Sequence, residues 1–329
     1  VKRVKLKFAE ARSQFKEVRG LIIAIIVLMV VMSFAAKGFA TWYNLHNVLK
    51  DFSILLVVAS GVTLAILLGK NDLSVGSVMS LSGIIIALLL SSGVPFAFAV
   101  MAGIGAGVLI GLLNGLLVGV FKLNHFISTF ATSNIAKGIA LIACNGDIIS
   151  STSKEWRFVG TGKLLGIFLI VWIALVTFLV LYWVLKKTSY GYRVYSVGGS
   201  ETVARLSGIN STKTYIQSFV ISGILAALGG FFMAGKAISG NATMGDGFEF
   251  NAIATVLIGG TPFDGGKGGL LGTFFGAFFI SILKNSIALI GLKPAWQYAI
   301  IGFAILLVII MDVALHEKKK QEERRRVES

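Results

Sequence analysis

The residues best equipped for chemistry in this 329-residue chain are few and widely spaced. Thr129, Ser133 and Lys137 recur at every fourth position, and Asn134 lies one turn before the lysine. That spacing puts the three side chains on one face of a helix. The stretch around them is apolar, and an ammonium there is expensive unless it meets water or an opposite charge. Lys137 therefore marks a polar path, with a helix–helix hydrogen bond or salt bridge as the open alternative. Asn114, Asn251 and Asn285 are read the same way with less force, because an amide is cheaper to bury.

Chemistry of other kinds lacks its residues. ATP hydrolysis needs a phosphate-cradling loop ending in Gly-Lys-Ser or Gly-Lys-Thr. The pairs Gly69-Lys70, Gly162-Lys163, Gly235-Lys236 and Gly266-Lys267 are followed by Asn71, Leu164, Ala237 and Gly268. His46, His125 and His316 are far apart, and Cys144 has no partner cysteine, so no metal-ligand spacing is present. Neither a Gly-x-Ser-x-Gly elbow nor His-Glu-x-x-His occurs. The expectation is a chain that is not an enzyme.

Two further patterns carry information. Residues 69–76 read GKNDLSVG and residues 259–269 read GGTPFDGGKGG, both flanked by apolar sequence. Such stretches break helices, and irregular backbone near a membrane is tolerated where protein or water covers it. Then Ser200, Glu201 and Gly208 supply a helix cap, a first-turn acid and a stop. Val203, Leu206 and Ile209 give this short helix an apolar edge, beside Arg205. Two turns of helix bury nothing alone, so the edge docks on another subunit or on the bilayer surface.

The elements that position these residues are membrane spans. Hydrophobic residues make up 56% of the chain and charged ones only 14%, with a mean hydropathy of +0.86. A soluble domain carries about 25% charged residues, so lipid must solvate this one. Runs near the roughly 20 residues that cross a bilayer fall at about 21–36, 54–69, 76–91, 95–121, 126–144, 164–185, 215–236, 251–260, 269–290 and 296–313. The fold class is an all-α integral membrane protein of ten transmembrane helices, the eighth borrowing length from its flanks. Cations crowd residues 1–20, the loop 186–213 and the tail 314–329, which places both termini and that loop in the cytoplasm. The net charge of +15 is thus an orientation signal and implies no nucleic-acid partner. The first apolar run is read as a retained span rather than a cleaved signal. Val4, Phe8, Ala11, Phe15 and Val18 form one helical stripe, so residues 1–20 either lie in the headgroup layer or form a solvated basic tail. A faint echo links residues 112–126 with 282–296. Five crossings separate the copies, as an inverted repeat requires, with chance similarity as the alternative.

Several motifs in order resemble one family. They are Asp72-Leu-Ser-Val-Gly-Ser77, Gly111-Leu-Leu-Asn-Gly115, Tyr195-Ser-Val-Gly-Gly-Ser200, Ala204-Arg-Leu-Ser-Gly-Ile-Asn210, Phe248-Glu-Phe-Asn-Ala-Ile-Ala254, Ile258-Gly-Gly-Thr261 and Gly265-Gly-Lys-Gly268. From about Ala40 to Asp312 the chain resembles the membrane permease subunits of bacterial ABC importers for ribose, galactose and xylose. It departs from that pattern at Asn71, Asn251, Lys137 and the Asn124-His125 pair. The resemblance implies the bacterial inner membrane and a second permease copy or homologue. It implies a cytoplasmic ATPase subunit that carries ATP and Mg, with no cofactor on this chain, and an extracytoplasmic sugar-binding protein. It gives Glu201–Ser207 the role of a coupling helix. Importers of nucleosides, autoinducer-type molecules or branched-chain amino acids share the plan. An ion-driven transporter is the rival of another class, and acids only at span ends or in loops argue against it.

Overall fold

The computed structural model describes residues 2–310 apart from 152, 294, 298, 305 and 307–309, with side chains from residue 18 onward. The helices, in chain order, are α1 (Lys2–Ala35), α2 (Trp42–Leu67), α3 (Val75–Ser91), α4 (Phe96–Gly119), α5 (His125–Cys144), α6 (Lys154–Thr161), α7 (Leu169–Lys187), α8 (Ser189–Gly199), α9 (Glu201–Leu206), α10 (Ser211–Ala237), α11 (Phe248–Ile258) and α12 (Leu270–Leu289). The described residues of 295–310 are helical as well. Seven of these helices are long and apolar enough to cross a membrane, and α3 and α11 are shorter apolar helices.

Helix α10 is the hub, packed by α2, α3 and α4. The sequence explains its closest contact. Gly103, Gly107, Gly111, Gly115 and Gly119 form an every-fourth ridge along α4. A Cβ on Gly107, Gly111 or Gly115 would run into α10 at Gly223, Phe219 or Ile216. Small residues at that spacing let two backbones meet, which is how helices associate where lipid removes the hydrophobic drive. Helix α2 is buried on all sides from Phe52 onward, whereas α1 touches α12 along a seam of Ile25 and Met32 and exposes Ile23, Val27, Val30 and Phe34. An outward face of that kind suits lipid.

Beyond Ile238, whose φ of +55° reverses the chain, residues 239–247 turn back along α3. Ser239–Gly240 pairs with Ile149–Ser150 and lies against Gly83 and Ala87. Five residues later Gly245 reaches Gly76 and accepts no side chain of its own, its N–H donating to Ser80 Oγ at 2.9 Å. Only then does α11 begin. The stretch from Ile238 to Ile258 is therefore part irregular chain and part an 11-residue helix of about 16 Å.

Candidate functional site

At one end of the bundle stands α9, held on a polar platform. Ser200 Oγ accepts from Val203 N–H at 3.3 Å, capping the helix, and Gly208 leaves it at φ +81°. Glu201 accepts from Ser211 Oγ at 2.9 Å, from Tyr215 Oη at 2.8 Å and from Lys122 Nζ at 3.2 Å. Burial alone would raise the Glu201 carboxyl, but these donors outweigh it and hold the group below its ordinary value. Ala204 points into the protein. Leu206 is 82% exposed and Val203 61%, while Ile209 packs partly on the core. The apolar edge read from the sequence thus reduces to two exposed side chains, with Ile209 as an anchor. Arg205 is exposed beside them.

Under this platform lies the loop 68–74, and its centre is Asp72, 1% exposed. One carboxylate oxygen accepts from Ser74 N–H at 3.0 Å and Ser74 Oγ at 2.6 Å, the other from Ser222 Oγ at 2.7 Å. Asn114 Nδ2 donates to Ser74 Oγ at 2.8 Å, and Thr132 Oγ1 donates to Asn114 Oδ1 at 2.6 Å. Leu73 N–H donates to Thr129 Oγ1 at 3.1 Å, and Asn71 N–H to His125 Nδ1 at 3.0 Å. A buried polar network persists only when its members are satisfied, and this one fastens the loop to α4, α5 and α10. Asn114 and Thr129 are wholly buried within it.

Of the remaining path candidates on α5, Ser133 faces α3 and Lys137 faces the irregular segment 239–247. Lys137 Nζ donates to both oxygens of Asp246, and Ser133 Oγ lies 2.8 Å from Ser77 Oγ. The salt bridge left open for Lys137 is present, with both partners more than a third exposed. Asn134 Nδ2 donates to Phe130 O on an exposed face. Asn285 and Asn44 exchange side-chain amide hydrogen bonds between α12 and α2, while Asn251 is buried in the first turn of α11. The seven candidates consequently separate. Thr129 and Asn114 join at Asp72, Ser133 and Lys137 line the packed side of α5 with Asn134 on its exposed face, and Asn251 and Asn285 lie elsewhere. Reasoning from sequence missed Asp72, His125, Thr132 and Ser222 as one system. The signal was the carboxylate inside 69–76, which looks like loop until its donors are placed. Among the described residues no cluster of His, Cys, Asp or Glu could hold a metal ion.

Comparison with known proteins fits this arrangement. Residues 44–309 match the family described as the branched-chain amino acid transport system permease component. The chain belongs to this permease family. The ribose import permease RbsC of Haemophilus influenzae is 35% identical over 301 residues, covering 90% of this chain and 93% of that one. RbsC of Bacillus subtilis is 32% identical over 295 residues, covering 89% and 92%. The L-arabinose ABC transporter permease AraH of Azospirillum brasilense is 28% identical over 293 residues, covering 89% and 86%. A solved ABC transporter, described as of the metal-chelate type and inward-facing, superposes with a TM-score of 0.51 at 16% identity. It covers 91% of this chain and 99% of its own, which shows the fold. This permease is a multi-pass protein of the bacterial inner membrane and a transport subunit.

Proposed function

We propose that this permease forms the transmembrane path for a monosaccharide of the ribose or arabinose class in an ATP-driven importer. The observation that carries the reading is α9, a capped helix clamped from behind through Glu201, with Val203 and Leu206 facing outward. A separate ATPase subunit, holding ATP and Mg, docks there, and this chain binds no cofactor itself. An extracytoplasmic sugar-binding protein delivers substrate at the opposite end, and a second permease copy or homologue completes the path. The exposed side of α5, with Ser133, Asn134 and Lys137, faces that path, and Asn251 and Asn285 contribute from α11 and α12. Asn114 and Thr129 act on it through the Asp72 loop.

The topology in this reading has ten crossings: seven long helices, α3, α11 with its irregular lead-in, and residues 295–310. Both termini are cytoplasmic, on the side of α9. Residues 1–20 form a basic segment at that membrane surface and 21–313 the permease domain. The charged tail 314–329 lies outside the described residues. An inverted repeat pairs α2 through α5 with α10 through the final helix. In support, each half opens on a long central helix, then an irregular stretch and a shorter helix, and α3 packs on α10 as α11 packs on α2.

The family description favours a second substrate, a branched-chain amino acid. Ribose permeases at 32–35% identity weigh more. Competition decides between them: uptake of labelled ribose or arabinose by cells expressing the whole system should be unaffected by excess leucine. Leucine uptake that sugars fail to inhibit would assign the amino-acid substrate instead.

A further inference from the structure

Helix α1 packs along α12, with Ile25, Met32 and Ile282 in one apolar cluster. Its last turns do not close on the first turns of α2. A cavity of about 220 Å³ is left between them and α12, lined by Met29, Ser33, Leu45, Val48, Phe278 and Ile282. Val18, near the other end of the apolar part of α1, lies with Lys186 and Tyr195 on the α9 side. The cavity therefore sits toward the end opposite α9.

The polar groups at its edge are already engaged within the protein. Ser33 Oγ donates to Met29 O and Thr41 Oγ1 to Gly38 O, each at 2.7 Å. Asn44 Nδ2 donates to Phe39 O at 3.0 Å and to Asn285 Oδ1 at 2.9 Å. The residues that line the cavity include no charged side chain. A sugar or an anion entering here would give up its water for little in return. An apolar chain instead restores the dispersion contacts that an empty void forfeits. Apolar cavities of about 150 Å³ already take up benzene, so this one has room for a run of methylenes.

The surroundings say which chain is at hand. Val27, Val30 and Phe34, on the same helix as Met29 and Ser33, face outward. Trp42 at the rim is 68% exposed and Tyr43 beside it 79%, with Lys37 exposed in the turn before them. Aromatic rings and a lysine at a helix end mark headgroup depth. Val48 stands six positions beyond Trp42, about 9 Å along the helix axis. We propose that one acyl chain of an outer-leaflet phospholipid occupies this cavity, its phosphate level with Lys37 and its tail running from Trp42 toward Val48 and Ile282. The lipid fills the gap that α1 leaves against α2. The site stands apart from α9 and from Lys137, and its test needs neither transport nor an ATPase, so its failure leaves the permease reading untouched.

The test places the full chain in phosphatidylglycerol nanodiscs doped with a phospholipid that carries a photoreactive diazirine along one acyl chain. Irradiation should label Val48 and Ile282, which are 4% and 2% exposed and out of reach of bulk lipid. Val176, 58% exposed on α7, is labelled by bulk lipid in every case and serves as the reference. Ser33→Phe and Val48→Phe fill the cavity, and each should abolish the label at Ile282 while Val176 keeps its own. Ser33 is an exposed position of α1, so Ser33→Phe should unfold no earlier than the wild type on heating, and loss of label is then not loss of fold. Label confined to exposed positions in the wild type overturns the site, and so does label at Ile282 that survives both substitutions. Label at Ile282 that excess ribose suppresses would assign the cavity to a sugar and overturn it as well.

Discussion

Lys137 on α5 donates to both carboxylate oxygens of Asp246, at 2.7 and 2.6 Å, across 109 positions of sequence. The bond ties α5 to the irregular chain that leads into α11. Any motion of α5 past that segment must break it or carry both partners along.

Because the pair is partly exposed, it adds only about 1 kcal/mol to stability. Lys137→Met should therefore express and fold normally, and should cut specific transport about tenfold if the pair serves the path. Exchanging the partners, Lys137→Asp with Asp246→Lys, should restore part of the rate. Lost expression with normal transport per folded molecule would make the pair purely structural.

Leu206→Asp should separate the permease from its ATPase while leaving insertion and folding intact. Exposed apolar anchors at the centre of an interface typically cost upward of about 2 kcal/mol when made charged. Arg205→Ala should cost at most about 1 kcal/mol. Co-purification of tagged permease with the ATPase and stimulated hydrolysis in nanodiscs measure both. Unchanged association in Leu206→Asp would move the docking surface elsewhere.

Glu201 gives a pH prediction. Its folded carboxyl lies below its ordinary value of 4.5, so the clamp's stabilisation is complete above about pH 4.5. It is lost as pH falls through the lower, folded value. Association of the permease with its ATPase should be flat from about pH 6 to 8, because the Glu201 carboxylate stays ionised throughout that range. Glu201→Gln should weaken α9 mildly, by no more than about 1 kcal/mol, since the amide oxygen still accepts from one of the two hydroxyls and the amide NH2 can donate to the other. Glu201→Ala should be worse, read as faster hydrogen exchange across α9.

Asp72→Ala strands the donors of Ser74 and Ser222 inside the protein, at about 1–3 kcal/mol for each unmet group. Asp72→Asn should be milder, because the serine hydroxyls can reverse and accept. Thermal unfolding in detergent ranks the two, and equal losses would show that the charge itself holds the loop.

The sequence foresaw much of this and missed some of it for identifiable reasons. Helix α2 begins at Trp42, twelve positions before the expected start at 54. Its first turns carry Asn44, His46, Lys50 and Asp51, which read as loop. The fold satisfies Asn44 with Asn285, His46 with Gly166 O and Asp51 with Lys236. The short apolar run at about 251–260 was legible as an anomaly. The chain leading into it was not, because a run of turns lying on α3 through Gly76 and Gly83 has no periodic signal. The cap, acid and stop of α9 were legible because all three act within one short stretch of chain. Asp72 and Asp246 were not, since their partners are set by packing between distant helices.

The most direct measurement is uptake by vesicles that contain the permease with or without its ATPase, with the binding protein presented on the outside. The account predicts accumulation of ribose or arabinose only with the ATPase and enclosed ATP, unchanged when proton and sodium gradients are collapsed. Accumulation driven by an ion gradient in vesicles lacking the ATPase would contradict it.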